Sequence, residues 1–179
     1  QPHVVRLETR PANLEGHGAI TMRDLVKNAL RMRPDRIILG EVRGGEVLDM
    51  LQAMNTGHDG SMTTIHANNT DDVLRRLEIL VLMAVELPVI SIQRQIASAV
   101  DIVVQITRMP GGKRCVTQIS EAAGYDPDRN GLIVTDIYSF RDGQHLRPTG
   151  YMPTFVDSLI EKDLLKLEFL YGDMATTAD

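Results

Sequence analysis

The stretch Arg33-Pro-Asp-Arg-Ile-Ile-Leu-Gly-Glu-Val-Arg-Gly-Gly-Glu46 decides how this chain folds. Pro34 ends any helix before it, because its ring disfavours helical backbone at the preceding residue. Ile37, Ile38 and Leu39 then make a short apolar run stopped by Gly40. That is the pattern of a strand buried on both faces of a parallel sheet. Glu41 and Arg43 follow, then two glycines and a helical pattern. In open parallel sheets ligands bind beyond the carboxyl ends of the strands, so Glu41 stands where chemistry is done. A buried strand can equally end in an exposed glutamate with no function, and the rest of the chain has to decide.

Upstream of this strand, His3 to Thr9 reads as a short strand with Val4, Val5 and Leu7 apolar, and Asn13 to Gly18 as a polar loop. Thr21 with Asp24 three residues on is a near relative of the capping box, and Met22, Leu25, Val26, Ala29 and Leu30 continue at helical spacing. The first helix is therefore expected over 21–32 and the buried strand over 36–39. Downstream, 45–55 is a helix with Val47, Leu48, Leu51 and Met54 inward, closed by Gly57. A strand follows at 61–65, then a helix over 71–86 capped by Thr70, and another over 91–99. Strands at 101–107, 114–122 and 132–140 come next, the first two joined through the turn Pro110-Gly111-Gly112. An acidic amphipathic helix is expected over 153–170.

His66 ends its strand as Glu41 ends the earlier one, 25 residues later and after one crossover helix. Strands so connected are parallel neighbours. Both side chains then project from one edge of the sheet, with the hydroxyls of Thr63 and Thr64 beside them. The alternative is that His66 is structural.

At 179 residues with 43% hydrophobic and 24% charged residues, the chain has the make-up of a soluble globular protein with a real core. Its lone cysteine, Cys115, excludes an internal disulfide and a cysteine-only zinc site. No apolar run approaches the ~18 residues of a membrane span, and no signal peptide is visible. Starting Gln1-Pro2 without Met, it reads as a fragment of something longer. The net charge of -5 sits mostly after Tyr151, so the basic face and interleaved aromatics of a nucleic-acid binder are missing. One local excess of bases, Arg23, Lys27, Arg31, Arg33, Arg36 and Arg43, is either a solvated helix face or a phosphate-facing cluster.

Arg-Ile-Ile-Leu-Gly-Glu-Val-Arg, residues 36–43, resembles the Walker B segment of the secretion (traffic) ATPases of type II secretion, type IV pili and type IV secretion. Thr-Gly-His-Asp-Gly, 56–60, followed by Thr-Thr-Ile-His-Ala-Asn, 63–68, resembles their His box. Residues 32–36 and 50–55 are most similar to the CpaF-like branch that powers tight-adherence (Flp) pilus assembly. The resemblance covers about residues 1–140 and is most specific between Asp24 and Asn68.

The resemblance implies a fold and a set of roles. The fold is α/β, a RecA-like P-loop NTPase core fragment with a parallel sheet, residues 1–108, plus a β-rich extension and C-terminal helix, 109–179. Glu41 would be the Walker B carboxylate, polarising the attacking water or holding Mg2+ through its water shell. Gly40 stands where many other P-loop enzymes place a magnesium-binding Asp. His66 would sense or position the γ-phosphate, with Arg10, Arg43 and Thr64 as nucleotide- or phosphate-binding or intersubunit residues. ATP and Mg2+ would be the cofactors. The parent would be a homo-hexamer, cytoplasmic and held at the inner membrane by secretion or pilus platform proteins, with no nucleic acid.

The phosphate cradle Gly-x-x-x-x-Gly-Lys-Ser/Thr of such enzymes does not occur in these 179 residues, and Gly111-Gly112-Lys113-Arg114 lacks both spacing and hydroxyl. In this family that loop lies upstream. Two readings of different class remain: the carboxyl-terminal part of an ATPase motor, or a non-catalytic folding or oligomerisation module. A nucleic-acid translocase on the same core is disfavoured by charge.

Overall fold

The computed structural model describes residues 3–128, 131–140 and 145–166. The chain divides into two compact units, residues 1–66 with 75–99, and residues 67–74 with 100–179.

In the first unit α1, Met22–Arg31, starts at a true capping box. The Thr21 hydroxyl accepts from the Asp24 amide at 3.2 Å, and the Asp24 carboxylate accepts from the Thr21 amide at 2.9 Å. The Thr21 hydroxyl, 2.6 Å from the Asp24 carboxylate, and then the Thr21 amide hold the Asp24 carboxyl below its ordinary range. Met32 caps the other end, and Arg33 takes the left-handed conformation (φ 51) that turns the chain into Pro34. Strand β1, Ile38–Leu39, leads to α2, Glu46–Met54, and β2, Met62–Thr63, returns parallel to β1. Helix α2 lies against α1 and against α4, Val89–Ala99. The core gathers Val26, Leu39, Val47, Met50, Leu51, Ile92 and Ile96, all nearly fully buried. Gly45 permits a close approach, since a Cβ there would meet the Ala84 Cβ at 3.2 Å. Arg23 reaches from α1 to the buried Asp49 of α2, its Nε donating at 2.7 Å.

Helix α3, Thr70–Ala84, belongs to the second unit through residue 74 and to the first from residue 75. Thr70 is its first helical residue, not its cap. The capping role falls to Asn69, whose side-chain oxygen accepts from the Asp72 amide at 2.8 Å.

The second unit is built on an antiparallel sheet in the order β3, Ile102–Arg108; β4, Arg114–Asp126; β5, Gly131–Ser139; β6, Arg147–Pro148. Between β3 and β4 the chain turns at Met109–Gly112, with the Gly112 amide donating to Met109 O at 2.9 Å and Gly111 at φ 89, as a Pro-Gly type II turn requires. Buried Ser120 donates to Asp136 Oδ1 at 2.7 Å, which leaves the Thr70 hydroxyl, 3.0 Å away, to donate to Ser120. Buried Glu121 accepts from Tyr151 Oη at 2.8 Å and from the Thr154 amide at 3.1 Å and hydroxyl at 2.5 Å. Burial first, and then the bond to Glu121, push the Tyr151 phenol up from its ordinary value. This carboxylate anchors the segment that enters α5, Val156–Glu161.

Other expectations change as well. The strand expected to be buried on both faces buries only one, with Ile37 and Leu39 at 7% exposure and Ile38 at 71%. His3–Thr9 forms no strand: Val4 and Val5 are 62% and 54% exposed, and the pairing nearby reduces to an isolated bridge between Arg10 and Ile20. The expected 153–170 helix is shorter, because Lys162 caps it and Asp163 adopts φ 54; residues 167–170 lie outside the described residues. The compact units part the chain at 66/67, 74/75 and 99/100. Strand β3 hydrogen-bonds along β4, so it joins the antiparallel sheet.

Candidate active site

The site grows from the register of the two short parallel strands. Ile38 pairs with Met62 and Leu39 with Thr63, so the residues that follow each strand emerge at one edge. Past the ladder, the Val42 amide donates to Thr64 O at 3.0 Å and the Thr64 hydroxyl donates to Gly40 O at 2.6 Å. Buried Val42 turns inward, while Glu41 turns outward beside Thr64 and His66. Ile37 and Leu39, both buried, supply the anchor and Gly40 the break, so a carboxylate is presented at the strand end.

Glu41 is gripped from two sides. Its Oε1 lies 3.1 Å from His66 Nε2 and its Oε2 lies 2.6 Å from the Arg43 guanidinium. The glutamate side chain is 22% exposed, against 83% for His66 and 77% for Arg43. A carboxylate only accepts, so a hydrogen bond across this contact is donated by Nε2–H. The Arg43 hydrogen bond, with the charges of Arg43, His66 and Arg76 behind it, holds the Glu41 carboxyl below its ordinary range, and Arg43 is raised in turn. Glu41 is therefore ionised at neutral pH. It can orient a water or receive its proton once one of its oxygens is released by its present partner.

Glu46 supports the loop between them. Its Oε1 accepts from the Arg43 amide at 2.6 Å and the Gly44 amide at 2.9 Å, closing the Arg43-Gly44-Gly45 turn at the start of α2. The donor set suits Mg2+ in one way. Mg2+ keeps most of its waters and is usually held by one or two carboxylates plus substrate phosphates. Among the described residues no cluster of three or more His, Cys, Asp or Glu could hold a metal. A contact from Glu41 through water fits; a cage made of protein does not.

The other histidine of the stretch sits at the opposite strand end. His58 Nδ1 lies 3.2 Å from Ala53 O, and His58 O accepts from Ser61 Oγ at 2.7 Å. Ser61 Oγ in turn accepts from the Ile37 amide at 2.9 Å. His58 thus braces the loop that leads into β2. Gly60 is needed there, since it has φ +77 and a Cβ would meet Arg36 Nε at 2.6 Å.

The structure brings Glu41, Arg43, Thr64 and His66 together. Arg10 is engaged elsewhere: its Nε donates to Gly18 O at 2.9 Å, across the loop closed by the Arg10–Ile20 bridge. Arg76 and Glu46 were missed by sequence reasoning. Arg76 follows His66 by ten residues, two turns into α3, and could have been found by projecting that helix. Glu46 carried the signal of an acid in the first turn of a helix that begins with glycines. A cavity of about 580 Å3 lies in the second unit, lined by residues including Asp71, Gln118, Asp136 and Tyr151, and by none of the predicted site residues. Its Asp136 already accepts from Gln118 and Ser120.

Residues 1–135 match the protein-family model described as Type II/IV secretion system protein. The conjugal transfer protein TrbB of Rhizobium radiobacter is 42% identical over 127 residues, covering 71% of this chain and 37% of that protein. The type IV secretion system protein PtlH of Bordetella pertussis is 40% identical over 96 residues, covering 52% of this chain and 28% of that one. The crystal structure of the VirB11 ATPase from the Brucella suis type IV secretion system, in complex with sulphate, matches with a TM-score of 0.54 at 33% identity, over 57% of this chain and 32% of that chain. The chain spans about a third of the length of the curated relatives it matches.

Proposed function

Because the chain belongs to the type II/IV secretion system protein family, we propose that it is part of an ATP-hydrolysing motor for protein secretion or pilus assembly. The observation that carries this reading is the carboxylate–histidine pair, Glu41 Oε1 to His66 Nε2 at 3.1 Å, at the carboxyl edge of two parallel strands. Phosphoryl transfer to water asks mainly for positioning and for charge stabilisation around the transferring group. In this reading Glu41, held ionised by Arg43 and His66, orients the attacking water. His66 exchanges its bond to Glu41 for one to the γ-phosphate, and the exposed Arg43 offers a cation to phosphate oxygens. Mg2+, when bound with ATP, would neutralise phosphate charge, with Glu41 reaching it through water. Arg10, held at the Gly18 loop, belongs to the intersubunit arginines of a homo-hexamer. The finer assignment is to a CpaF-like motor of tight-adherence pili, cytoplasmic and docked on an inner-membrane platform. Among the described residues no helix is long and apolar enough to cross a membrane.

A second reading, a non-catalytic folding or oligomerisation module, is favoured by one observation: these 179 residues contain no Gly-x-x-x-x-Gly-Lys-Ser/Thr string. The two are separated by assaying the 179 residues beside a complete ATPase that carries them and a phosphate-binding loop. The motor reading expects no turnover above background in the first and steady hydrolysis in the second, lost in Glu41→Gln. A complete protein that binds but never hydrolyses ATP would leave the module reading standing.

A further inference from the structure

We infer that Thr64 is a positioning residue that sets where Glu41 stands, and is not itself a phosphate ligand. The inference rests on the proposed function for its catalytic meaning, and on geometry for its structural one. Strands β1 and β2 pair over two residues each, so the ladder ends at Leu39 and Thr63, before Glu41 is reached. What holds the next peptides is Thr64, from both sides. Its hydroxyl donates to the carbonyl of Gly40, the residue before Glu41, at 2.6 Å. Its carbonyl accepts from the amide of Val42, the residue after, at 3.0 Å. One residue thus grips the chain on either side of the carboxylate.

A threonine hydroxyl has one proton to donate. Here that proton is engaged with Gly40 O, so the side which faces outward offers lone pairs, and these repel a phosphate oxygen. Threonine suits this position. A β-branched side chain is stiff at χ1 and suits extended backbone, so the hydroxyl is presented to Gly40 with little freedom to turn away. Glu41 has its side chain aligned by Arg43 and His66 and its backbone by Thr64. In-line attack on a phosphoryl group tolerates little displacement, and a shift of about 1 Å can cost roughly 10²-fold.

The test uses Thr64→Val, which keeps the shape and β-branching and removes the donor, and Thr64→Ser, which restores it. The first readout is amide hydrogen exchange in the 179-residue chain. The Val variant should exchange the Val42 amide roughly five- to tenfold faster, the scale of one lost hydrogen bond. The Ser variant should regain most of the protection, while amides of α1 and α4 stay as they were. Unchanged exchange at Val42 in the Val variant overturns the grip. The second readout is steady-state hydrolysis by the complete ATPase. Thr64→Val should lower kcat roughly 10–100-fold with KM for ATP unchanged, and Thr64→Ser should recover it. A raised KM with kcat kept would make Thr64 a phosphate ligand and overturn the inference. Glu41→Gln, run alongside, guards the premise: undiminished turnover there sinks the proposed function, and the exchange result still decides whether Thr64 holds the strand end.

Discussion

Each unit holds a glutamate at a position that governs it, and the two are opposites. Glu41 of the first unit is partly exposed, follows a strand of two residues, and is held by two groups that are themselves mostly exposed. Glu121 of the second unit is 3% exposed, lies inside a strand of thirteen residues, and is met by Tyr151 and Thr154. A buried carboxylate with fixed donors belongs to architecture, because leaving it or its donors unmatched is costly. A carboxylate at a strand end, with partners that are mostly exposed to water, is open to a ligand. The same side chain is enclosed in one place and left open to chemistry in the proposed reading of the other, and burial of the carboxylate and its partners makes the difference.

That contrast is open to experiment. The largest effect is expected at Glu41: in the complete ATPase, Glu41→Gln should lower turnover by about 10²–10⁴-fold, the usual contribution of a placed acid–base group. ATP binding and the melting temperature should stay near wild type, since the side chain is not enclosed. Normal hydrolysis with Gln at this position would erase the functional half of the contrast.

Glu121→Ala should do the reverse. It strips the acceptor from Tyr151 Oη and Thr154, so chemical denaturation of the chain should show a loss of roughly 1–3 kcal/mol. An unchanged midpoint would mean that Glu121 anchors nothing. Thr21→Ala, which removes half of the capping box on α1, is expected to cost about 1 kcal/mol in the same assay.

The mildest probe is pH, and the two units should respond at opposite ends of the scale. Glu41 has its carboxyl depressed below the ordinary 4.5. A group with a lowered folded pKa contributes above its unfolded value and loses that contribution as pH falls through the folded one. The Glu41–Arg43–His66 cluster should thus persist across neutral pH and come apart below about 4.5, seen as a shift in the His66 ring resonances. Tyr151 is raised above the ordinary 10.0. Its contribution is full below that value and fades as pH climbs past it, so the Glu121 latch should loosen in alkali. Fluorescence or absorbance of the phenol, with Tyr151→Phe as control, follows this directly. Loosening of the latch near neutral pH would contradict the assignment.

Much of this was legible from residues in order. Local rules placed α1 at its Thr21 cap, stopped it before Pro34, and put the type II turn at Pro110-Gly111. Each depends on bonds within a few residues or on a backbone angle that one residue type favours. The short aliphatic run ending at Gly40, and the crossover to a second strand ending at His66, gave the parallel pair and its common edge, as the register of β1 with β2 bears out.

Tertiary structure decided what local rules cannot reach. Nothing in His3–Thr9 says that no strand will lie beside it, and a strand without a neighbour is not one. Strand 102–108 has the same apolar character in a parallel core or an antiparallel sheet; the tight turn and the ladder to β4 settled its place. The bond from the Thr64 hydroxyl to Gly40 O, across 24 residues, exists only in the folded chain. Arg76 comes into the field of Glu41 only when α3 is folded. By itself the sequence determined which residues are candidates for chemistry and which elements present them, because patterning and spacing are properties of the chain. Their partners were decided by the fold, because a hydrogen bond depends on distance in space, and residues as far apart as Glu121 and Tyr151 have none until the sheet has formed.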